Sequence, residues 1–244
     1  MGWLVSHAQS VISTDRPNQT YAVTVEGKGS VIVETGMFFN TSNGTEKIKT
    51  NDYAQTFLRI GTGANMEIQL GSAFRTDDSP VSGTTSGLAP VKVGAKIRLA
   101  EEKGPWPAMA FVGNVTLPWI GKEEFRPEYT APDFRFIFNH TLTDRFGLAY
   151  NLGMAWNGVT PNSSFIYTLL FTAGIVGDLG GYVEIFGDFP EGSSSNHSFD
   201  FGLTYLINPD IQVDVSYGNT YTSPTGHYFN VGAAFRFGNS AAQN

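Results

Sequence analysis

Eleven charged side chains recur in one phase of a period-two pattern: Glu34, Arg59, Glu67, Lys92, Lys96, Arg98, Arg135, Glu184, Asp200, Asp214 and Arg236. Five are acids and six are bases, so the set is nearly neutral. The same phase otherwise carries small residues and amides, among them Gly36, Gln69, Gly94, Asn114, Gly153 and Gly232. A solvent-facing sheet favours long, freely hydrated side chains. Small residues with balanced charge suit a confined, curved interior in which side chains converge and pair. Two readings follow. As a pore lining, opposed acids and bases set a transverse field that orients polar solutes; as structure, they are ion pairs that fill and rigidify a narrow lumen. Asp15-Arg16-Pro17 is the sharpest signal upstream of the pattern. It reads either as an arm that narrows or gates the pore, or as a rim clasp that closes the first strand against the last, and the clasp is the preferred expectation.

Other chemistry finds little support. His7, His140, His197 and His227 stand far apart with no metal-binding spacing, and there is no cysteine to supply a thiolate or a disulfide. No metal and no cofactor are expected, nor any catalytic residue. Asn139-His140 invites comparison with the Ser–His–Asn arrangement of outer-membrane phospholipases. The two side chains point to opposite faces of one strand, however, and no outward serine accompanies them. A net charge of −7 without a basic cluster argues against nucleic acid as a partner. No apolar run approaches the roughly 18 residues of a membrane helix, which leaves strands as the only route across a bilayer.

The elements that must hold these charges are strands. In FDFGLTYLINPDIQVDVSYGN (199–219), apolar and polar residues alternate on both sides of an Asn-Pro-Asp turn. Similar segments lie near 30–40, 51–61, 64–74, 88–99, 106–118, 132–142, 145–156, 164–176, 180–188, 197–206, 210–219 and 227–238. Most match the roughly 9–11 residues that a tilted membrane strand needs. Connections alternate between tight ones (61–63, 143–144, 176–179, 208–209, with 100–105 slightly longer) and longer polar ones (41–50, 75–87, 119–130, 189–196, 220–226). That alternation belongs to an up-and-down barrel with short periplasmic turns and long outer loops. The opposite, apolar phase carries no Asp, Glu, Lys or Arg within the strand cores, as a lipid-facing surface requires. Trp106, Trp119 and Trp156 fall at expected strand ends, where indoles anchor to the membrane interface. The expected fold is all-β: a transmembrane antiparallel up-and-down β-barrel of about twelve strands.

ISTDRPNQT (12–20) leading into VEGKGSVIVETG (25–36), and FGLTYLINPDIQVDVSYG (201–218) closing with YFNVGAAFRF (228–237), resemble one bacterial family. Together with GAKIRL (94–99), LTDRFGLAYNLG (142–153) and GDLGGYVEIFG (177–187), they resemble the outer-membrane transporter family of the MetA-pathway of phenol degradation. The resemblance implies a twelve-stranded barrel in the bacterial outer membrane of a Gram-negative envelope, passing small aromatic or hydrophobic compounds. One departure stands out: outer-membrane barrels commonly end on an aromatic read by the barrel-assembly machinery, whereas Phe237 is followed by GNSAAQN.

The chain therefore divides into an export-signal remnant at 1–8 or an ordinary N-terminus, a periplasmic arm at 9–29, a barrel at 30–238 and a tail at 239–244. Expected partners are the lipid bilayer, a small-molecule solute and the barrel-assembly machinery; nothing in the pattern assigns an oligomeric state. The leading expectation is a channel, not an enzyme, passing small solutes passively through a polar, charge-lined lumen. The alternatives are a non-conducting structural or adhesive barrel whose loops bind partners and, third, a lipid hydrolase.

Overall fold

β-Branched and aromatic residues at every second position fit a pleated surface and little else, and the computed structural model, which describes residues 11–238, follows that pattern. Its strands are β1 (Val31–Asn43), β2 (Lys47–Gly61), β3 (Met66–Ser79), β4 (Gly83–Leu88), β5 (Lys92–Ala100), β6 (Ala108–Thr116) and β7 (Ala131–Thr141). They continue with β8 (Phe146–Trp156), β9 (Ser163–Val176), β10 (Leu179–Pro190), β11 (Asn196–Asn208), β12 (Ile211–Thr220) and β13 (Thr225–Phe237). Sequential neighbours pair antiparallel, and β1 meets β13, so twelve strands close into a barrel. The spans expected at 1–8 and 239–244 lie outside the described residues.

The remaining strand, β4, comes from a break. The outer half of β3 pairs with β4 (Phe74↔Leu88 to Ser79↔Gly83), and its inner half pairs with β5 (Gly71↔Lys92 to Met66↔Ile97). The two partners are one strand interrupted at Ala89-Pro90-Val91, where proline has no N–H to give to a ladder. Beyond the break, the free edge of this strand is covered by the loop after β6. Leu117 N–H donates to the Val91 carbonyl at 2.9 Å, and Lys122 N–H to that of Leu88 at 2.8 Å.

Two of the outer loops expected from sequence are corrected by the pairing. TSNGTEKIKT is mostly ladder, with β1 and β2 paired out to Asn43↔Lys47, and RTDDSPVSGTTSG is the β3–β4 hairpin. Outside the hydrocarbon both faces of a strand are polar, so the alternation that announces a strand vanishes while the backbone pairing continues. The inner turns are short as expected; Gly177, between β9 and β10, takes φ +54°, a conformation other residues rarely adopt.

Burial is inverted relative to a soluble sheet protein. Leu70, Phe136, Leu169, Phe201 and Val231 are exposed on the outside, whereas Arg59, Glu67, Gln69 and Lys96 are each 0% exposed inside. Outward rings meet across strands; Phe111 and Phe136, for example, are partners in the β6–β7 register with centroids 5.2 Å apart. Near the outer rim Tyr167 hydrogen-bonds His197 (Oη to Nδ1, 2.9 Å), and the Phe189 and Tyr221 rings lie against the same imidazole. Of the three tryptophans singled out from sequence, Trp106 sits in the β5–β6 turn, Trp119 in the loop after β6, and Trp156 at the outer end of β8 against Phe134.

Candidate functional site: a lumen threaded by the N-terminal arm

The lumen is occupied by the chain's own N-terminal segment. Residues 11–29 form two legs joined by a tip. Asp15 Oδ1 accepts the Ala22 N–H at 2.7 Å, and Thr24 Oγ1 donates to Ser13 Oγ at 2.7 Å, which holds the legs together. The first leg starts at the inner rim, where Ile12 N–H donates to the Pro209 carbonyl at 2.8 Å and its side chain packs with Ile32, Ala234 and Leu206. On the returning leg Tyr21 and Val23 pack against inward Ala110, Val112 and Ile137. The segment expected as a periplasmic arm thus lies inside the barrel rather than along its rim, with Asp15, Arg16 and Pro17 among the residues lining the lumen cavities.

On the β1–β5 wall the arm completes a buried ion cluster. Register places Glu67 of β3 opposite Lys96 of β5, with Arg59 of β2 opposite Gln69. Arg59 grips Glu67 with two bonds, Nε to Oε1 at 2.8 Å and Nη2 to Oε2 at 3.1 Å. It also donates to the arm carbonyls of Ser13 (2.7 Å) and Thr24 (2.9 Å) and reaches Glu34 at 3.4 Å. Lys96 Nζ lies 3.0 and 2.9 Å from the two Asp15 carboxylate oxygens and donates to the Ala22 carbonyl at 3.0 Å. Glu34 accepts the Asp15 N–H at 3.0 Å, and Glu67 that of Glu26 at 2.8 Å. Charges that would otherwise be buried and unsatisfied are thereby paired.

The opposite wall, β8 to β13, is acidic and receives the tip. Arg16 Nη2 bonds Asp214 Oδ1 at 3.1 Å and Asn230 Oδ1 at 2.7 Å. Its guanidinium lies over Gly36 and Gly232, direct partners in the β1–β13 register, at both of which a β-carbon would collide with it. Glu184 accepts the Gln19 N–H at 2.8 Å and the Thr20 hydroxyl, and Asn151 Oδ1 accepts the Tyr21 N–H at 2.7 Å. Asp200, across from Glu184 in the β10–β11 register, accepts the Tyr228 hydroxyl at 2.5 Å.

The other residues singled out from sequence do not join these clusters. Lys92 pairs with Asp133 at 3.1 Å, and Arg135 donates to the Gln19 carbonyl at 3.0 Å. Arg98 and Arg236 belong to the inner rim: Arg98 bonds Asn65 at 2.8 Å beside the β2–β3 turn, and Arg236 bonds Asp210 at 2.6 Å in the β11–β12 turn. At the same rim, outside the membrane span, hydrogen bonds from Thr141 hold the Glu102 carboxyl below the usual carboxylate range.

Sequence reasoning missed Tyr21, Phe57, Asp52, Arg75 and Asp133, all of which belong to the interior. Asp133 and Arg75 share the inward phase of Arg135 and Glu67 and were legible there. Asp52 was not. A bulge between Tyr53 and Thr56, with Ala54 at φ +47°, flips the phase of the outer half of β2 and turns Asp52 inward onto Arg75 at 2.8 Å.

The arm leaves space on both sides. An outer cavity of about 510 Å³ is lined by Arg16, Phe38, Phe57, Arg75, Lys92 and Arg135 among others. An inner one of about 450 Å³ lies along Asn139, Ala149, Thr172, Gly180 and Thr204, a wall of small and neutral residues. Arg16, Asn18 and Tyr21 line both, so the arm tip stands between the two. A third cavity of about 350 Å³, beside Trp156 and Tyr167, adjoins the outer one at Gln19 and Arg135.

A closed barrel with an apolar outer belt, a polar interior and short turns at one end is a transmembrane β-barrel of the bacterial outer membrane. The model of the family described as "Putative MetA-pathway of phenol degradation" matches residues 14–237, and the chain belongs to that family. Among solved structures, an outer membrane channel from Pseudomonas putida F1 is similar at 13% identity and TM-score 0.64, over 91% of this chain and 99% of that one. The NanC porin is similar at 10% identity and TM-score 0.59, over 84% and 98%. The translocator domain of the autotransporter NalP from Neisseria meningitidis is similar at 10% identity and TM-score 0.56, over 86% and 89%. At such identities these likenesses speak to fold. No curated protein matches the chain.

Proposed function

We propose that the protein is an outer-membrane channel through which small solutes pass passively, around an arm that sets the aperture. The observation that carries this reading is the space the arm leaves inside the closed polar barrel, an outer and an inner cavity on the two sides of Arg16, Asn18 and Tyr21, while every ion pair of the arm stays in place. A barrel built only as a scaffold has no need for space on both sides of its filling. Small size follows from the arm, whose backbone is fixed to Glu184 and Asn151 on one wall and to Arg59 and Lys96 on the other. The full chain in a planar bilayer should give small, discrete conductance steps, and liposomes carrying it should swell in small sugars but not in large ones. A preparation that runs as a folded barrel on gels, yet is silent in both assays, overturns the channel in favour of a non-conducting structural barrel.

A further inference from the structure

Four cations line the outer cavity: Arg16, Arg75, Lys92 and Arg135. Three are committed to acids, Arg16 to Asp214, Arg75 to Asp52 and Lys92 to Asp133. Arg135 is different. Its Nη1 donates to the Gln19 backbone carbonyl at 3.0 Å, its Nε is buried with no partner, and no described carboxylate lies within ion-pair distance. The acids that share the cavity are already spent: Asp15 on Lys96 and Arg59, Glu34 on Arg59, Asp52 on Arg75.

Aromatic rings line the same cavity. The Arg135 guanidinium carbon lies 5.1 Å from the centre of the Tyr21 ring, and the Tyr21 and Phe57 rings are 6.4 Å apart. Phe38 lines the same cavity with its ring 5.1 Å from that of Tyr228. A guanidinium with a free edge takes a carboxylate through parallel N–H bonds, and neighbouring ring faces take a flat apolar body. Arg135 also stands where the two outer cavities adjoin, on solute's way to the tip.

We propose that the outer cavity is a recognition site for small aromatic monocarboxylates, with Arg135 binding the carboxylate and the ligand's ring lying against the Tyr21–Phe57 pair on its cavity side. The proposal rests on the channel reading for its purpose but not for its occupancy, so binding and conduction are tested apart. Binding of benzoate to the detergent-solubilised full chain is followed by ligand-observed saturation-transfer NMR, with acetate, cyclohexanecarboxylate and benzyl alcohol as comparators. Benzoate should bind roughly tenfold or more tightly than acetate or benzyl alcohol, because each lacks one of the two interactions. Arg135→Gln should erase most of the advantage over benzyl alcohol, and Phe57→Leu most of that over cyclohexanecarboxylate. In planar bilayers benzoate should reduce potassium chloride conductance at concentrations where acetate does not. Equal binding of benzoate and benzyl alcohol, or an Arg135→Gln protein that keeps full preference for benzoate, overturns the site. Benzoate binding to a protein without conductance upholds the site and overturns the channel.

Discussion

Arg59 offers five N–H donors, and all of them are engaged: two with Glu67, one with Glu34 and one each with the carbonyls of Ser13 and Thr24. Full satisfaction is what makes a buried ion tolerable, and it makes the loss of one partner costly. Arg59→Met should remove about 3–5 kcal/mol of stability, because Glu67 stays buried beside a side chain that cannot donate. Arg75→Met should cost only about 1 kcal/mol, since the Arg75 side chain is 33% exposed and its pair with Asp52 is reachable by water. Denaturant unfolding of the two variants in the same micelle, followed by tryptophan fluorescence, checks the contrast; equal losses would mean that the Arg59 cluster is solvated. The types of these residues were legible in sequence, as was their inward direction. Their partners were not, because half of the partners are backbone carbonyls of the arm, and a carbonyl leaves no mark on composition.

The arm and the strands it leans on are matched element to element. Gly36 and Gly232 face each other across β1 and β13 and leave a shallow seat in which the Arg16 guanidinium rests before reaching Asp214 and Asn230. Arg16→Ala should loosen the tip and enlarge the conductance step, as Asp214→Ala should do by removing the acid that the guanidinium pairs with. The double variant should add little to either single one, since both act on one contact. Independent, additive increases would show that this contact does not hold the arm. At this scale the sequence declared the strands inside the membrane well and those outside it badly. Phe201, Leu203 and Tyr205 alternate with Gly202 and Thr204 because lipid lies on one side and the lumen on the other. Lys47, Lys49 and Asn51 have water on both sides, so β2 continues without any alternation to betray it. The break at Pro90 was written in the sequence as a proline, yet the strand beyond it has no apolar residue until Leu88 and read as loop.

In the whole molecule, lumen and filling come from one chain, and on the channel reading their fit decides whether solute moves past the arm or only when the arm leaves. Thr20 of the tip and Thr168 of β9 have hydroxyl oxygens 2.6 Å apart, close to the approach that a disulfide needs. The chain contains no cysteine, so Thr20→Cys combined with Thr168→Cys introduces one bridge and no competing thiol. On the channel reading, in which solutes pass between the cavities on either side of Arg16, Asn18 and Tyr21 without displacing the tip, the oxidised variant should keep the small conductance step of the unmodified protein. Reduction should leave that step in place and restore any rarer, larger openings that depend on the tip departing from Glu184 and Thr168. If oxidation instead abolishes the small step and reduction returns it, the static path is closed and solutes cross only by displacement of the arm. Fixing the tip separates a pore with a permanent restriction from a pore with a stopper, because it removes one motion while leaving the lining charges where they are.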